Sequence, residues 1–142
     1  MFLGRYHHAL DAKGRVAIPS RLRGDLDNGA VLTRGADTCL ALYPPAVWQG
    51  LCDRIATLPV SDAAARAFRR FVFSEATRLE FDGQGRVLIP QSLRSYAGID
   101  RNVVIIGMDS MIEIWSDTSW EVVGRDLDLQ ADEIITRLAS MI

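Results

Sequence analysis

Apolar positions along this chain follow two periods, the alternation of strands and the 3.6-residue spacing of helices, and the same succession occurs twice. In the first round Arg15 to Ile18, Ala30 to Arg34 and Cys39 to Tyr43 read as strands, with Gly35-Ala36-Asp37-Thr38 as a connecting turn. Pro44-Pro45 opens a helix that sets Val47, Leu51, Ile55 and Leu58 on one face. Ser61 caps a second helix, rich in alanine and arginine, that runs to about Phe73. In the second round the strands are Arg86 to Ile89, Asn102 to Gly107 and Met111 to Trp115, with Met108-Asp109-Ser110 as the turn. Ser116 or Asp117 caps a helix carrying Trp120, Val123 and Leu127, and a last helical stretch holds Ile134, Ile135 and Leu138. Pro19 and Pro90 suit the first turn of short helices that carry Leu22 and Leu93 inward and end near Gly24 and Gly98. With a strand leading into each of the turns at 11–14 and 82–85, the order is ββαββα twice. The fold class is α+β, mainly β.

The repetition extends to residue identity. Residues 11–23 read DAKGRVAIPSRLR and residues 82–94 read DGQGRVLIPQSLR. Eight of thirteen positions coincide at an offset of 71: Asp11/Asp82, Gly14/Gly85, Arg15/Arg86, Val16/Val87, Ile18/Ile89, Pro19/Pro90, Leu22/Leu93 and Arg23/Arg94. Beyond the motif the likeness continues at an offset of 72, with Gly35 and Asp37 matching Gly107 and Asp109, Leu40 and Leu42 corresponding to Ile112 and Ile114, Tyr43 to Trp115 and Trp48 to Trp120. The chain is a duplicated unit of about 70 residues. The division is 1–58 for the first unit, 59–74 for a linking helix, and 75–142 for the second unit with its C-terminal helices.

The repeated turn has a physical logic. An aspartate at its first position can accept bonds from backbone N–H groups further along, and a glycine at its fourth supplies the positive φ of a tight hairpin exit. Arg15 and Arg86 follow that glycine directly. A guanidinium beside exposed N–H groups suits phosphate oxygens, and its fork suits a guanine edge. An equally good reading is that both arginines form ion pairs with the acids of their turns. Lys13, Gly14, Arg15, Gly85 and Arg86 are the candidate binding residues, with Arg5, Arg21 and Arg23 close by in sequence, as is Arg94. Gln84 stands where the first copy has Lys13, and Gln91 and Ser92 stand where it has Ser20 and Arg21, so the second loop is less basic.

Charge distribution sharpens this picture where net charge blurs it. The chain carries −2 overall. Residues 1–23 sum to +4 and 66–94 to +3, whereas 109–142 hold eight acids against Arg125 and Arg137. An acidic end masks two basic segments. Of the sixteen basic residues only Lys13 is a lysine. His7 and His8 are adjacent on a strand and point to opposite faces, so they do not share a metal. Cys39 and Cys52 have no metal-ligand spacing and read as reduced core or near-core thiols. No nucleophile motif is present, the sequence implies no cofactor and no metal, and the chain reads as not an enzyme. No apolar run approaches the roughly 18 residues of a membrane helix, the N-terminus lacks signal-peptide architecture, and the expected location is cytoplasmic.

These residues together resemble the MraZ family. Met1 to Arg23, with its early aromatic, His7, Asp-x-Lys-Gly-Arg and Ile-Pro-x-x-Leu-Arg, is similar to the start of those proteins, and Asp82 to Pro90 is similar to their second motif. One such motif alone would point only to the wider SpoVT/AbrB-like superfamily. The resemblance implies two AbrB-like swapped-hairpin β-barrel halves paired by pseudo-twofold symmetry. It implies a cytoplasmic, nucleoid-associated transcriptional regulator of the bacterial cell-division and cell-wall gene cluster. Its partners would be double-stranded DNA, at short direct repeats upstream of its own gene, and itself, as a ring-shaped homo-oligomer. Lys13, Arg15 and Arg86 would be the DNA contacts. Two alternatives stay in view, an antitoxin of the same superfamily and a structural ring protein.

Overall fold

The computed structural model describes residues 1–26 and 29–142. The first round comprises β1 (Arg5–Ala9), β2 (Arg15–Ala17), β3 (Val31–Arg34), β4 (Leu40–Tyr43) and α1 (Pro45–Ala56), followed by α2 (Ala63–Phe73). The second comprises β5 (Thr77–Arg78), β6 (Arg86–Leu88), α3 (Gln91–Ala97), β7 (Asn102–Met108), β8 (Met111–Ser116), α4 (Asp117–Leu129) and α5 (Ala131–Leu138). The short helix after Pro19 is a single 3-10 turn, Ser20–Leu22, whereas its counterpart after Pro90 is the α-helix α3, closed by Gly98 in the left-handed region at φ 64°.

Six strands make an open antiparallel sheet in the order β1-β7-β8-β4-β3-β5, and β2 pairs with β6 in a separate two-stranded ribbon. The turns at Asp11 and Asp82 do not fold their two flanking strands into a local hairpin. Instead β1 pairs with β7, β5 with β3, and β2 with β6, each time across the repeats. Duplication explains this, because two like antiparallel strands are self-complementary when their register is centred on equivalent residues. Val16 faces its own counterpart Val87 in the ribbon, and Ala41 faces its counterpart Glu113 in the sheet.

The core therefore belongs to neither repeat alone. Val16, Ile18, Leu22, Leu32 and Leu42 pack in one cluster with Val87, Ile89, Leu93, Ile105 and Ile114. Each such side chain, fully buried, contributes about 1.5–3 kcal/mol. A smaller cluster gathers Cys39, Val104, Ile106 and Trp115 under Trp120 and Val123 of α4.

The helices depart from the sequence expectation in detail. Asp62, not Ser61, caps α2, accepting from the N–H groups of Ala64 at 2.7 Å and Ala65 at 3.2 Å. The carboxylate wins because Ser61 lies one residue too early, inside the turn closed by the Asp62 N–H on the Pro59 carbonyl. Leu58 lies beyond the end of α1, where Ile55 alone is fully buried. Val72 is buried, Phe71 packs edge-on against Tyr96 of the second repeat, and Phe73 packs edge-on against Trp48. Helix α5 buries no residue.

Candidate nucleic-acid interface

The two motif turns have the same geometry atom for atom. Asp11 Oδ1 accepts from the backbone N–H of Lys13 at 2.9 Å and of Arg15 at 3.0 Å, while Arg15 Nε donates to Asp11 Oδ2 at 2.8 Å. Asp82 Oδ1 accepts from Gln84 at 2.9 Å and Arg86 at 3.0 Å, and Arg86 Nε donates to Asp82 Oδ2 at 2.8 Å. Gly14 and Gly85 sit at φ 81° and 73°, the conformation expected of them, where a Cβ is strained. In each turn the backbone N–H of the arginine, reinforced by its side chain and by the next N–H donor, holds the aspartate carboxyl below its ordinary value. Both ion pairs foreseen as the bland reading of the arginines are thus present. They pin Nε only. The Arg15 and Arg86 side chains remain 31% and 27% exposed.

Cross-repeat pairing then assembles the turns into one surface. The register sets Arg15 opposite Leu88 and Ala17 opposite Arg86. Because side chains alternate across a strand, these four share the outer face of the ribbon, while Val16 and Val87, 1% exposed each, face the core. Arg86 also reaches the other turn, with Nη1 3.6 Å from Asp11 Oδ2. Lys13 and Gln84 stand exposed at the turn tips, and Arg21 is exposed on the 3-10 turn just beyond β2.

Of the candidate residues, Lys13, Gly14, Arg15, Gly85 and Arg86 come together at this ribbon. Arg23 joins them through the opposite repeat, with its guanidinium against Gly85. Arg5 does not. It begins β1, roughly 20 Å of extended chain from Asp11, and lines a groove with His7, Trp120, Glu121 and Asp128 beside α4. Sequence reasoning missed Arg101 and Leu88, and set Arg94 near the turns without its partner. Arg101 lies beside the first turn, its carbonyl accepting from the Leu10 N–H at 2.7 Å. Leu88, 53% exposed, stands opposite Arg15 on the outer face. Arg94 packs its guanidinium on Gly14. Arg94 was visible as one of the eight repeated positions, but no sequence signal tells which turn it touches.

Burial, with Glu113 close by, pushes the Cys39 thiol up to about 12, and desolvation raises that of Cys52. No helix among the described residues is long and apolar enough to cross a membrane.

Comparison with known proteins gives the same picture of the whole chain. Residues 1–71 and 72–138 each match the family described as "MraZ protein, putative antitoxin-like". A protein of Thermomicrobium roseum named Transcriptional regulator MraZ is 50% identical over 142 residues, covering 100% of both chains. Proteins of the same name from Alkaliphilus metalliredigens and Herpetosiphon aurantiacus are 44% identical over 99% of both chains and 50% identical over 94% of this chain and 91% of the relative. With a match to each repeat and relatives alike from end to end, the chain belongs to the MraZ family.

Proposed function

We propose that this protein is a DNA-binding transcriptional regulator whose contact surface is the β2–β6 ribbon and its two turns. One observation carries the reading: the ribbon presents Arg15 and Arg86 on one outer face, each pinned through Nε, with the terminal nitrogens of Arg15 outside its ion pair and Nη1 of Arg86 3.6 Å from Asp11. A two-stranded ribbon matches the width of the B-DNA major groove, about 12 Å, and a guanidinium fork suits both phosphate and guanine. Lys13 and Arg21 complete the surface, while Gly14 and Gly85, buried under the guanidiniums of Arg94 and Arg23, set the shape of its turns. The names of the relatives support a role in transcription.

The finer reading follows the family resemblance. In that reading the halves are swapped-hairpin β-barrels, units 1–58 and 75–142 joined by 59–74, and the strand pairing across the repeats supports it. The target is a set of short direct repeats upstream of the protein's own gene, in the cell-division and cell-wall cluster, and the protein works in the cytoplasm on the nucleoid. Since the chain is slightly acidic overall, tight binding needs several ribbons on several boxes. A ring-shaped homo-oligomer supplies this by effective concentration, worth roughly 10²–10⁴ in affinity.

Electrophoretic mobility shift on that upstream DNA tests the proposal. The wild type shifts it, and a folded Arg15→Ala/Arg86→Ala double variant does not. Unchanged binding by that variant overturns it. The ion pairs on both arginines leave room for a second reading in which they are structural only, and a structural ring protein of that kind shifts no DNA. An antitoxin-like role draws on the unpacked apolar side chains of α5, Ile135 and Leu138, and would require capture of a toxin partner.

A further inference from the structure

Arg23 and Arg94 are equivalent positions of the two repeats, and each reaches away from its own turn. The Arg94 guanidinium fills the space a side chain at Gly14 would need: an ideal Cβ there would overlap Nη1 and lie 2.9 Å from Cζ and 3.4 Å from Nη2. The Arg23 guanidinium does the same at Gly85, with Cζ at 2.7 Å and Nε at 3.2 Å from such a Cβ. The glycine carbonyls are held across the repeats too, Gly14 O accepting from the Ile89 N–H at 3.0 Å and Gly85 O from the Ile18 N–H at 3.1 Å. Every one of these contacts crosses from one repeat to the turn of the other.

We propose that Arg94 and Arg23 are positioning residues in trans, each holding the DNA-contacting turn of the opposite repeat. The claim about DNA rests on the function proposed above, and the claim about the turns does not. A guanidinium seated where the side chain of that glycine would be blocks the rotation of the peptide units on either side of it, which a four-residue turn otherwise permits. The two clamps are not equal. Arg94 is carried on α3 and tethered by Nη2 to Gln91 Oε1 at 2.8 Å, and its Nε is buried without a partner among the described residues. Arg23 sits at the end of a single 3-10 turn. The better-anchored clamp therefore serves the first turn, the one that carries Lys13. Neither repeat by itself can present its own turn in the binding geometry.

Amide hydrogen exchange of the DNA-free protein tests the clamp directly. In Arg94→Ala the amides of Lys13, Gly14 and Arg15 exchange about tenfold faster, as expected for local opening, while those of Gln84, Gly85 and Arg86 keep their rates. Arg23→Ala shows the reverse pattern with a smaller change. Arg94→Met keeps the aliphatic stem, so it guards against a variant that fails to fold. Unchanged exchange in the first turn, or faster exchange in the second turn instead, overturns the proposal. A binding cycle then separates positioning from contact. The affinity lost in Arg94→Ala should disappear in a Lys13→Ala/Arg15→Ala background, because the turn it positions no longer grips. A loss of equal size in both backgrounds means that Arg94 touches DNA itself, and overturns the positioning role. If the wild type shifts no DNA at all, the functional reading falls while the exchange result still decides the clamp.

Discussion

The first and second motif turns share every backbone hydrogen bond and the Asp–Arg pair, yet differ in the charge they present. Lys13 tips the first and Gln84 the second, and Arg21 has Ser92 as its counterpart. The Ser92 hydroxyl donates to Glu75, 2.7 Å away, so that position is spent on an internal contact. The comparison separates two jobs within one motif. Asp, Gly and Arg build the shape, and the residues between them set the charge it presents. Arg86 is the exception to the symmetry, since it pairs with Asp11 as well as Asp82 while Arg15 pairs with Asp11 alone.

The largest expected effect comes from removing the arginines. Arg15→Ala should weaken binding to the upstream DNA by roughly 10- to 100-fold, the worth of about 1–3 kcal/mol for one well-placed fork. Arg86→Ala should weaken it comparably and also loosen the first turn, because Asp11 loses its second partner. Fluorescence anisotropy titration with calorimetric melting of the same samples checks both parts. A melting temperature equally unaffected in the two variants would remove the asymmetry assigned to Arg86.

Next in size are the glycines. Gly14→Val and Gly85→Val each place a β-branched residue at positive φ, at a cost of about 1 kcal/mol or more, and each displaces a guanidinium of the other repeat. A fall in melting temperature of roughly 3–5 °C per kcal/mol is expected, with Gly14→Val the worse because Arg94 is the more firmly anchored. Loss of binding with no change in melting would mean that the glycines serve only close approach to DNA.

A charge swap sharpens the comparison further. Lys13→Gln should lower the slope of log affinity against log salt by about one, and Gln84→Lys should raise it by about one. Together they should invert the inequality of the turns with little change in affinity. Identical salt slopes in all four proteins would show that neither tip meets a phosphate.

The smallest effect concerns acid. Asp11 and Asp82 are held below the ordinary aspartate value of 3.8 in the folded protein. Their contribution to stability is therefore fully present above that value and is lost as pH falls through the lowered native one. Asp11→Asn and Asp82→Asn should each melt lower than wild type at neutral pH, and the gap should close as the pH drops below the ordinary range. A gap that persists in acid would assign the loss to shape rather than charge.

Most of the elements were legible because their signals are local. The Pro90 start and Gly98 stop of α3, the strand from Asn102 and the positive φ of Gly14 each depend on residues within a few positions. The cap of α2 was misplaced by one residue, since Ser61 and Asp62 are both good capping types and only the turn before them chooses. Arg5 was grouped with the turns because it is near in sequence, yet an extended strand carries it away.

By itself the sequence determined the duplication, the Asp-x-x-Gly-Arg turn and the candidate residues for a phosphate contact, because turn chemistry and repeat identity are short-range properties. Only the tertiary structure decided which turn meets which partner. Arg94 on Gly14, Arg86 on Asp11 and Val16 on Val87 join residues 80, 75 and 71 positions apart in sequence, through pairing across the repeats. A self-complementary strand can pair with its neighbour or with its twin. The choice falls to the pairing that buries both valines in one core, an energy that no local window of the chain contains.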